Sequence, residues 1–382
     1  MKMKITFICA SLQTGSDGVG DYVRRLACEI IKGGHQVEAI ALADNYLSGI
    51  KEEFQEIDGI KLLALRLPAS LNITERYNYL QKRFKIFNPD LVSLQYVGFG
   101  FNKYGLPLDI FLKLGKAIGT RKLHIMFHEL WCGMAATSGF KEKALGMLQK
   151  VFLKTIVSAL KPETIFTSIK PYQLFLKGIR IDAVVVPIFG NISTKESGDQ
   201  NDWDDLVTNA DLSPLILNSK DWLVLGFFGT TYNCPGLSDL LDTAVNAATS
   251  AGLKLGVLFI GHNRMLETTN LIKATPNLFY WETGSLSTAM INRSMQLVDI
   301  GVVTSPVDGI NKSGSAVAWM ERGIPVMISP EDKNYSESLM EKQGIYQAAS
   351  AEAILRAYGS KKQLPRLDNL EKAAIAYTVC TL

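Results

Sequence analysis

Short apolar runs alternate with helix-length stretches along this chain, and they do so twice. In the first half ITFICA (5–10), QVEAIAL (36–42), KLLALRL (61–67), LVSLQYV (91–97), KLHIMFH (122–128), TIFTSI (164–169) and AVVVPIF (183–189) read as strands. Helical patterns occupy 21–32, 75–87 and 141–160 between them. Runs that are apolar on both faces and separated by helix-length connections predict a mainly parallel sheet covered on both sides. The rhythm breaks over 190–221, a polar, turn-rich stretch that reads as a linker or surface excursion with room for a short helix. It restarts with WLVLGFFG (222–229), LGVLFIG (255–261), LFYWE (278–282), IGVVTS (300–305) and IPVMIS (324–329). The pattern predicts an α/β chain of two doubly wound, Rossmann-like domains, 1–190 and 222–360, joined by 191–221 and facing a central cleft. Such sheets bind ligands at the carboxyl ends of their strands.

Length supports the division, since 382 residues exceed one ordinary core and suit two. A hydrophobic fraction of 47% and a charged fraction of 20% describe a folded protein. A net charge of +3 is too small to point to nucleic acid, and none is expected as a partner. The five cysteines are odd in number and widely scattered, which predicts neither a disulfide framework nor a zinc site. A reducing cytoplasm is the expected home, and no apolar run reaches the roughly 20 residues of a membrane span.

Three sets of residues carry candidate chemistry. After the first strand, Gly18, Val19, Gly20 and Asp21 form a glycine loop where a helix beginning near Asp21 would aim its amides at an anion. The order G-x-x-G-x-G is not the dinucleotide fingerprint, and a turn needed only for tight packing explains it equally well. His128, followed by Glu129, closes a central strand where an imidazole can bond a sugar hydroxyl or move a proton near neutral pH, and a purely structural histidine fits the position equally well. His124, deeper in that strand, reads as a core histidine. In the second half, polar loops follow successive strands: Gly229, Thr230 and Thr231; Gly261 to Arg264; Gly284 and Ser285; and Lys312, Ser313, Gly314 and Ser315. Together they predict a pocket of amide, hydroxyl and cationic donors, with Lys312 at a helix start suited to a diphosphate; a plainly capped helix with Lys312 in water is the alternative.

The stretches DGVGDYVRRLACEIIKGGHQVEAIAL, FHELW, VVPIFGN, GFFGTTYNCPGLSDLLDTA, VLFIGHNR and SGSAVAWMERGIPVMIS resemble retaining glycosyltransferases of the GT-B architecture, similar to glycosyltransferase family 4. The resemblance implies a carboxy-terminal domain that holds a nucleotide-diphospho-sugar and an amino-terminal domain that holds the acceptor. It also implies a last helix, about 361–382, packed back on the first domain. It further implies transfer of the sugar, with retention, to a glycan or lipid-linked acceptor, His128 contacting the reacting sugar and no metal or other cofactor required. The chain departs from the family where a glutamate pair is usual: Ile310 and Ala318 occupy those places, and Pro235 replaces a lysine. A catalytically silent GT-B protein that keeps nucleotide or sugar binding is the alternative, and a two-domain small-molecule receptor is a rival of another class.

One further stretch bears on partners. Over 141–161 Met147, Leu148, Val151, Phe152, Ile156 and Leu160 fall on one broad helical face, with Lys143, Lys150, Lys154 and Lys161 elsewhere. A basic amphipathic helix can lie on an anionic bilayer, here the inner membrane face, or simply cover a sheet with its lysines in water.

Overall fold

The computed structural model describes residues 2–134, 138–195, 198–229, 231, 236–264, 269–270, 272–273, 275, 278–305, 307–328, 336–361 and 363–379. The chain divides into two compact units, Met1–Asn191 with Asn369–Leu382, and Ile192–Asp368.

The first unit is built on β1 (Lys4–Cys9), β2 (Gln36–Asp44), β3 (Lys51–Ile57), β4 (Ile60–Pro68), β5 (Leu91–Tyr96), β6 (Lys122–Phe127), β7 (Thr164–Thr167) and β8 (Val184–Val185). They lie in the order β3-β4-β2-β1-β5-β6-β7-β8. Only β3 runs antiparallel, against β4. The sequence pattern misses β3 because KEEFQEI carries four charged residues and buries only Gln55. Those charges suit a sheet edge, where they discourage pairing with another chain. The direction of winding reverses between β1 and β5, so the carboxyl ends of these two strands form the switch point of the sheet.

The helix after β1 spans Gly18–Lys32 and so starts three residues before the position expected from sequence. Asp17 sets that start, its carboxylate accepting from the Gly20 amide at 2.6 Å. The helix Asn369–Val379 belongs to this unit: Ala373 and Tyr377 are fully buried beside Phe7, Tyr22 and Phe166, and Asn369 Nδ2 donates to the Ile188 carbonyl at 2.9 Å. The helix Phe140–Leu160 corrects the sequence reading of a single apolar face. Phe152 and Ile156 are buried in the core, whereas Met147, Leu148 and Val151 are exposed on the opposite side. The six apolar positions span more than half the helix circumference, and one sheet surface cannot cover them all.

The second unit carries β9 (Trp222–Phe228), β10 (Lys254–Ile260), β11 (Leu278–Glu282), β12 (Ile300–Val302), β13 (Val326–Ile328) and β14 (Ile345–Gln347) in the order β11-β10-β9-β12-β13-β14. Every pairing is parallel, and the order is that of a Rossmann sheet. β14 has three residues, too few for a periodic signal. The stretch expected to be a linker packs as part of this unit. It forms the helices Gln200–Asn209 and Ser213–Leu217, buries Leu215, and receives the Asn292 Nδ2 donor on the Ser193 carbonyl at 2.6 Å.

A single tryptophan fixes how the helix Gly314–Met320 meets this sheet. Trp319 is fully buried. Gly226 of β9 and Gly301 of β12 are direct partners across the ladder, and the indole lies against both. A Cβ at Gly301 would stand 2.3 Å from the indole, and one at Gly226 2.9 Å from it. The two glycines therefore make the flat floor that admits the ring.

Candidate functional site

The site residues expected from sequence fall into two groups, one in each unit, and each group lies at the carboxyl edge of its sheet. Thr230 lies outside the described residues.

In the first unit the loop after β1 is held in place before any ligand is considered. Arg66, almost fully buried, donates through Nε to Asp44 at 2.8 Å and through a terminal nitrogen to Gln13 Oε1 at 2.6 Å, while the Leu12 amide donates to Asp44 at 3.3 Å. Gly20 has to be a glycine, because a Cβ there would lie 2.6 Å from the Ser11 carbonyl oxygen. Asp21 sits in the first turn of the helix, not at its start, and accepts from the Gly15 amide at 3.1 Å and from Arg24 at 2.8 Å. Burial holds the carboxyl groups of both Asp17 and Asp21 above the ordinary aspartate range. The helix start thus already has an anionic cap, with a second carboxylate one turn in. Its amides are less available to a diphosphate than the glycine pattern implies.

His128 follows β6 and is buried at 7% exposure, while Glu129 beside it is exposed. The His128 Nε2 lies 2.9 Å from Gln95 Oε1. Gln95 is fully buried in β5, and its amide nitrogen donates to Ser93 Oγ at 2.9 Å and to Tyr377 Oη at 3.2 Å. In this placement the carboxamide turns its oxygen toward the ring, where Gln95 Oε1 can accept a proton carried on Nε2. Gly18, Val19, Gly20 and Asp21, read from sequence as a loop, form the first turn of the helix Gly18–Lys32. Tyr22, which follows them, meets the imidazole edge-on with centroids 4.8 Å apart and stacks on Phe189 at 4.4 Å. Tyr22 is therefore the residue that brings the two predicted elements of this unit, the glycine loop and His128, together. Gln95 and Tyr377 escape a reading by sequence. The available signal was a serine and an amide, Ser93 and Gln95, on one face of the mostly apolar run LVSLQYV, where buried polar groups demand partners. His124 is fully buried against Phe166 and Tyr377, with both ring nitrogens lacking a hydrogen-bond partner. Burial, and then the charge of Lys122, lower its pKa to about 4. Its expected place in the core is thus observed.

In the second unit four loops follow β9, β10, β11 and β12, around the switch point between β9 and β12. Gly229 donates from its amide to the Ile260 carbonyl at 2.9 Å, and Gly261 has φ +125°, a conformation that favours glycine. A Cβ on Gly261 would lie 2.5 Å from the Gly229 oxygen, so this glycine contact lets the first two loops run side by side. Thr231 is buried and turns its hydroxyl toward Asn263 Oδ1 at 3.4 Å. Arg264 is exposed and fastened by its amide to the Thr231 carbonyl at 3.2 Å. His262 Nε2 lies 3.0 Å from Ser285 Oγ, which joins the loops after β10 and β11. Gly284, beside it, has φ +60°.

After β12 a 3-10 turn, Val307–Lys312, leads into the helix Gly314–Met320. Ser313 caps that helix, its Oγ accepting from the Ala316 amide at 3.4 Å and lying 3.0 Å from Ser315 Oγ. One of the amides expected for an anion is therefore bonded to Ser313. Lys312 is half-buried at the end of the turn. Ile310 and Ala318, where the family resemblance places glutamates, are both buried apolar residues. Among the described residues no group of three or more His, Cys, Asp and Glu side chains could hold a metal ion.

Solved structures share this fold across nearly their full lengths. A glycosyltransferase from Rickettsia africae ESF-5 superposes with a TM-score of 0.56 at 14% identity, over 99% of this chain and 93% of that one. The UDP-GlcNAc 2-epimerase from Neisseria meningitidis bound to UDP-GlcNAc gives 0.54 at 11% identity, over 100% and 99%. The catalytic domain of starch synthase IV from Arabidopsis thaliana bound to ADP and acarbose gives 0.53 at 12% identity, over 99% and 96%. The fold is that of GT-B proteins. No family model and no curated protein sequence matches the chain. Similarity at this level of identity establishes two Rossmann-like domains and leaves the chemistry to the residues.

Proposed function

We propose that the chain transfers a sugar from a nucleotide-diphospho-sugar to a glycan or lipid-linked acceptor, with retention of configuration and without a metal. This is the reaction implied by its resemblance to glycosyltransferase family 4. The observation that carries the reading is the set of four polar loops at the switch point of the second sheet. There Arg264, Lys312 and the Ser313–Ser315 hydroxyl pair lie at one carboxyl edge. Such groups would bind the diphosphate and stabilise the charge it gains as it leaves, which is the main contribution such a site makes. The first unit would hold the acceptor. His128, with its ring held by Gln95, would bond a hydroxyl of the reacting sugar.

A second reading rests on Ile310 and Ala318: with buried apolar groups at the usual glutamate positions, the chain would bind nucleotide or sugar without turnover. Incubation with UDP-, GDP- and ADP-sugars, with and without acceptor glycans and EDTA, separates the readings when products are followed by NMR and mass spectrometry. Acceptor-dependent nucleoside diphosphate release that persists in EDTA is the expected result. Binding by calorimetry without turnover favours the silent protein, and conversion of the donor sugar to an epimer without acceptor overturns the transferase reading.

A further inference from the structure

The back of the helix Phe140–Leu160 carries a feature that sugar transfer does not require. Its inner side, Gln149, Phe152, Leu153 and Ile156, is buried in the first unit. On its outer side Phe140 is 87% exposed, Met147 69%, Leu148 60% and Val151 64%. Positions 140, 144, 147, 148 and 151 recur at helical spacing, so these side chains form one continuous apolar stripe. Single exposed apolar residues are ordinary on a soluble surface, whereas a contiguous stripe marks a contact surface. Exposed lysines border it: Lys143 and Lys154 on one flank and Lys141 on the other. Lys150 lies on the Lys143 flank and rests over the Trp131 ring at 4.9 Å. Trp131 meets Phe175, 44% exposed, at 6.3 Å, and the neighbouring Leu174 is 58% exposed.

We propose that this face docks the protein on an anionic lipid bilayer, with the stripe seated among the acyl chains and the lysines among the headgroups. Charge decides the chemistry of the partner, since the helix carries four lysines and one glutamate along its length. Shape decides for a bilayer over a protein. The stripe stands on the convex back of one helix, and a fluid lipid surface accepts it without a complementary groove. Lysine stems reach along apolar surface and keep their ammonium groups at the headgroup level. The helix lies on the membrane and does not enter it end-on: among the described residues no helix is long and apolar enough to cross a membrane. The proposal stands apart from the transferase reading.

Flotation of the full chain with vesicles of phosphatidylcholine alone and of phosphatidylcholine mixed with phosphatidylglycerol tests it. The protein is expected to float with the anionic vesicles only, with a partition that falls as salt rises. The triple variant Lys141→Gln, Lys143→Gln, Lys154→Gln is expected to lose about a hundredfold, at roughly fivefold for each lysine near an anionic surface. The variant Phe140→Ser, Met147→Ser, Val151→Ser is expected to lose binding while keeping the parental circular dichroism and melting midpoint, because it removes only exposed groups. Equal partition of parent and both variants, or absence of the parent from anionic vesicles, overturns the proposal. Self-association of the parent that the serine variant abolishes, without vesicle binding, overturns it too and assigns the face to a second copy of this chain.

Discussion

His124 and His128 stand four residues apart, and their surroundings give them different chemistry. His128 has a buried amide on Nε2 and an aromatic edge beside it, so the orientation of its ring is held. Replacing His128 by alanine is expected to lower the transfer rate by about tenfold or more, roughly 1.4 kcal/mol in the barrier, with nucleotide affinity retained. Turnover kinetics alongside calorimetry would check this; unchanged specific activity with a lowered melting temperature would make His128 a core residue. His124 instead loses its charge through burial, with a pKa near 4 in the fold against an ordinary value of 6.5. Its contribution to stability is complete above the unfolded value and falls as pH drops toward the folded one, because only the unfolded chain then takes up the proton. The loss between about pH 6.5 and 4 is on the order of 3 kcal/mol. The variant His124→Leu should flatten that part of the stability profile, and urea denaturation of both proteins across the window measures it. Both histidines were visible in the sequence, but Gln95 was not recognised as the partner of His128. A strand position says which side a residue faces and nothing about what meets it there.

At the scale of elements, the contact between the helix Gly314–Met320 and its sheet depends on two glycines on adjacent strands. The variant Gly301→Ala forces a methyl group into the Trp319 indole and should cost about 3 kcal/mol or more, the upper part of the range for overpacking a filled core. Chemical denaturation followed by Trp fluorescence would check it, and a cost within 0.5 kcal/mol, about the scatter of surface substitutions, would refute the flat-floor account. Strands with dense apolar signals, such as WLVLGFFG and LGVLFIG, were legible because both their faces are buried. β3 and β14 were not: the first lies at an edge with charged side chains, and the second is three residues long. The same limit applies to the helix Phe140–Leu160, whose apolar residues were countable while the side that meets the core was not.

On the scale of the molecule, the helix Asn369–Val379 completes the first unit from far along the chain. Tyr377 lies 4.9 Å from Phe166 and 5.7 Å from Phe7, and its hydroxyl meets Gln95 below His128. Truncation before Asn369 should therefore uncover an apolar surface and free the Gln95 amide. A lowered melting midpoint and binding of a hydrophobic dye are expected, and a midpoint equal to that of the parent would show that the helix is dispensable. The carboxyl-edge loops were found from sequence because strands, glycines and polar loop residues are local features, and a parallel α/β chain has few ways to arrange them. So too was the division into two wound sheets, since it follows from the alternation of apolar runs and its interruption. The Asp17 cap, the engagement of Ser313 and Thr231 with their neighbours, the Gln95–Tyr377 support of His128 and the outward apolar stripe were decided only in the tertiary structure. Each depends on which residue, often far along the chain, lies within hydrogen-bond or van der Waals reach, and periodicity carries no information about that distance.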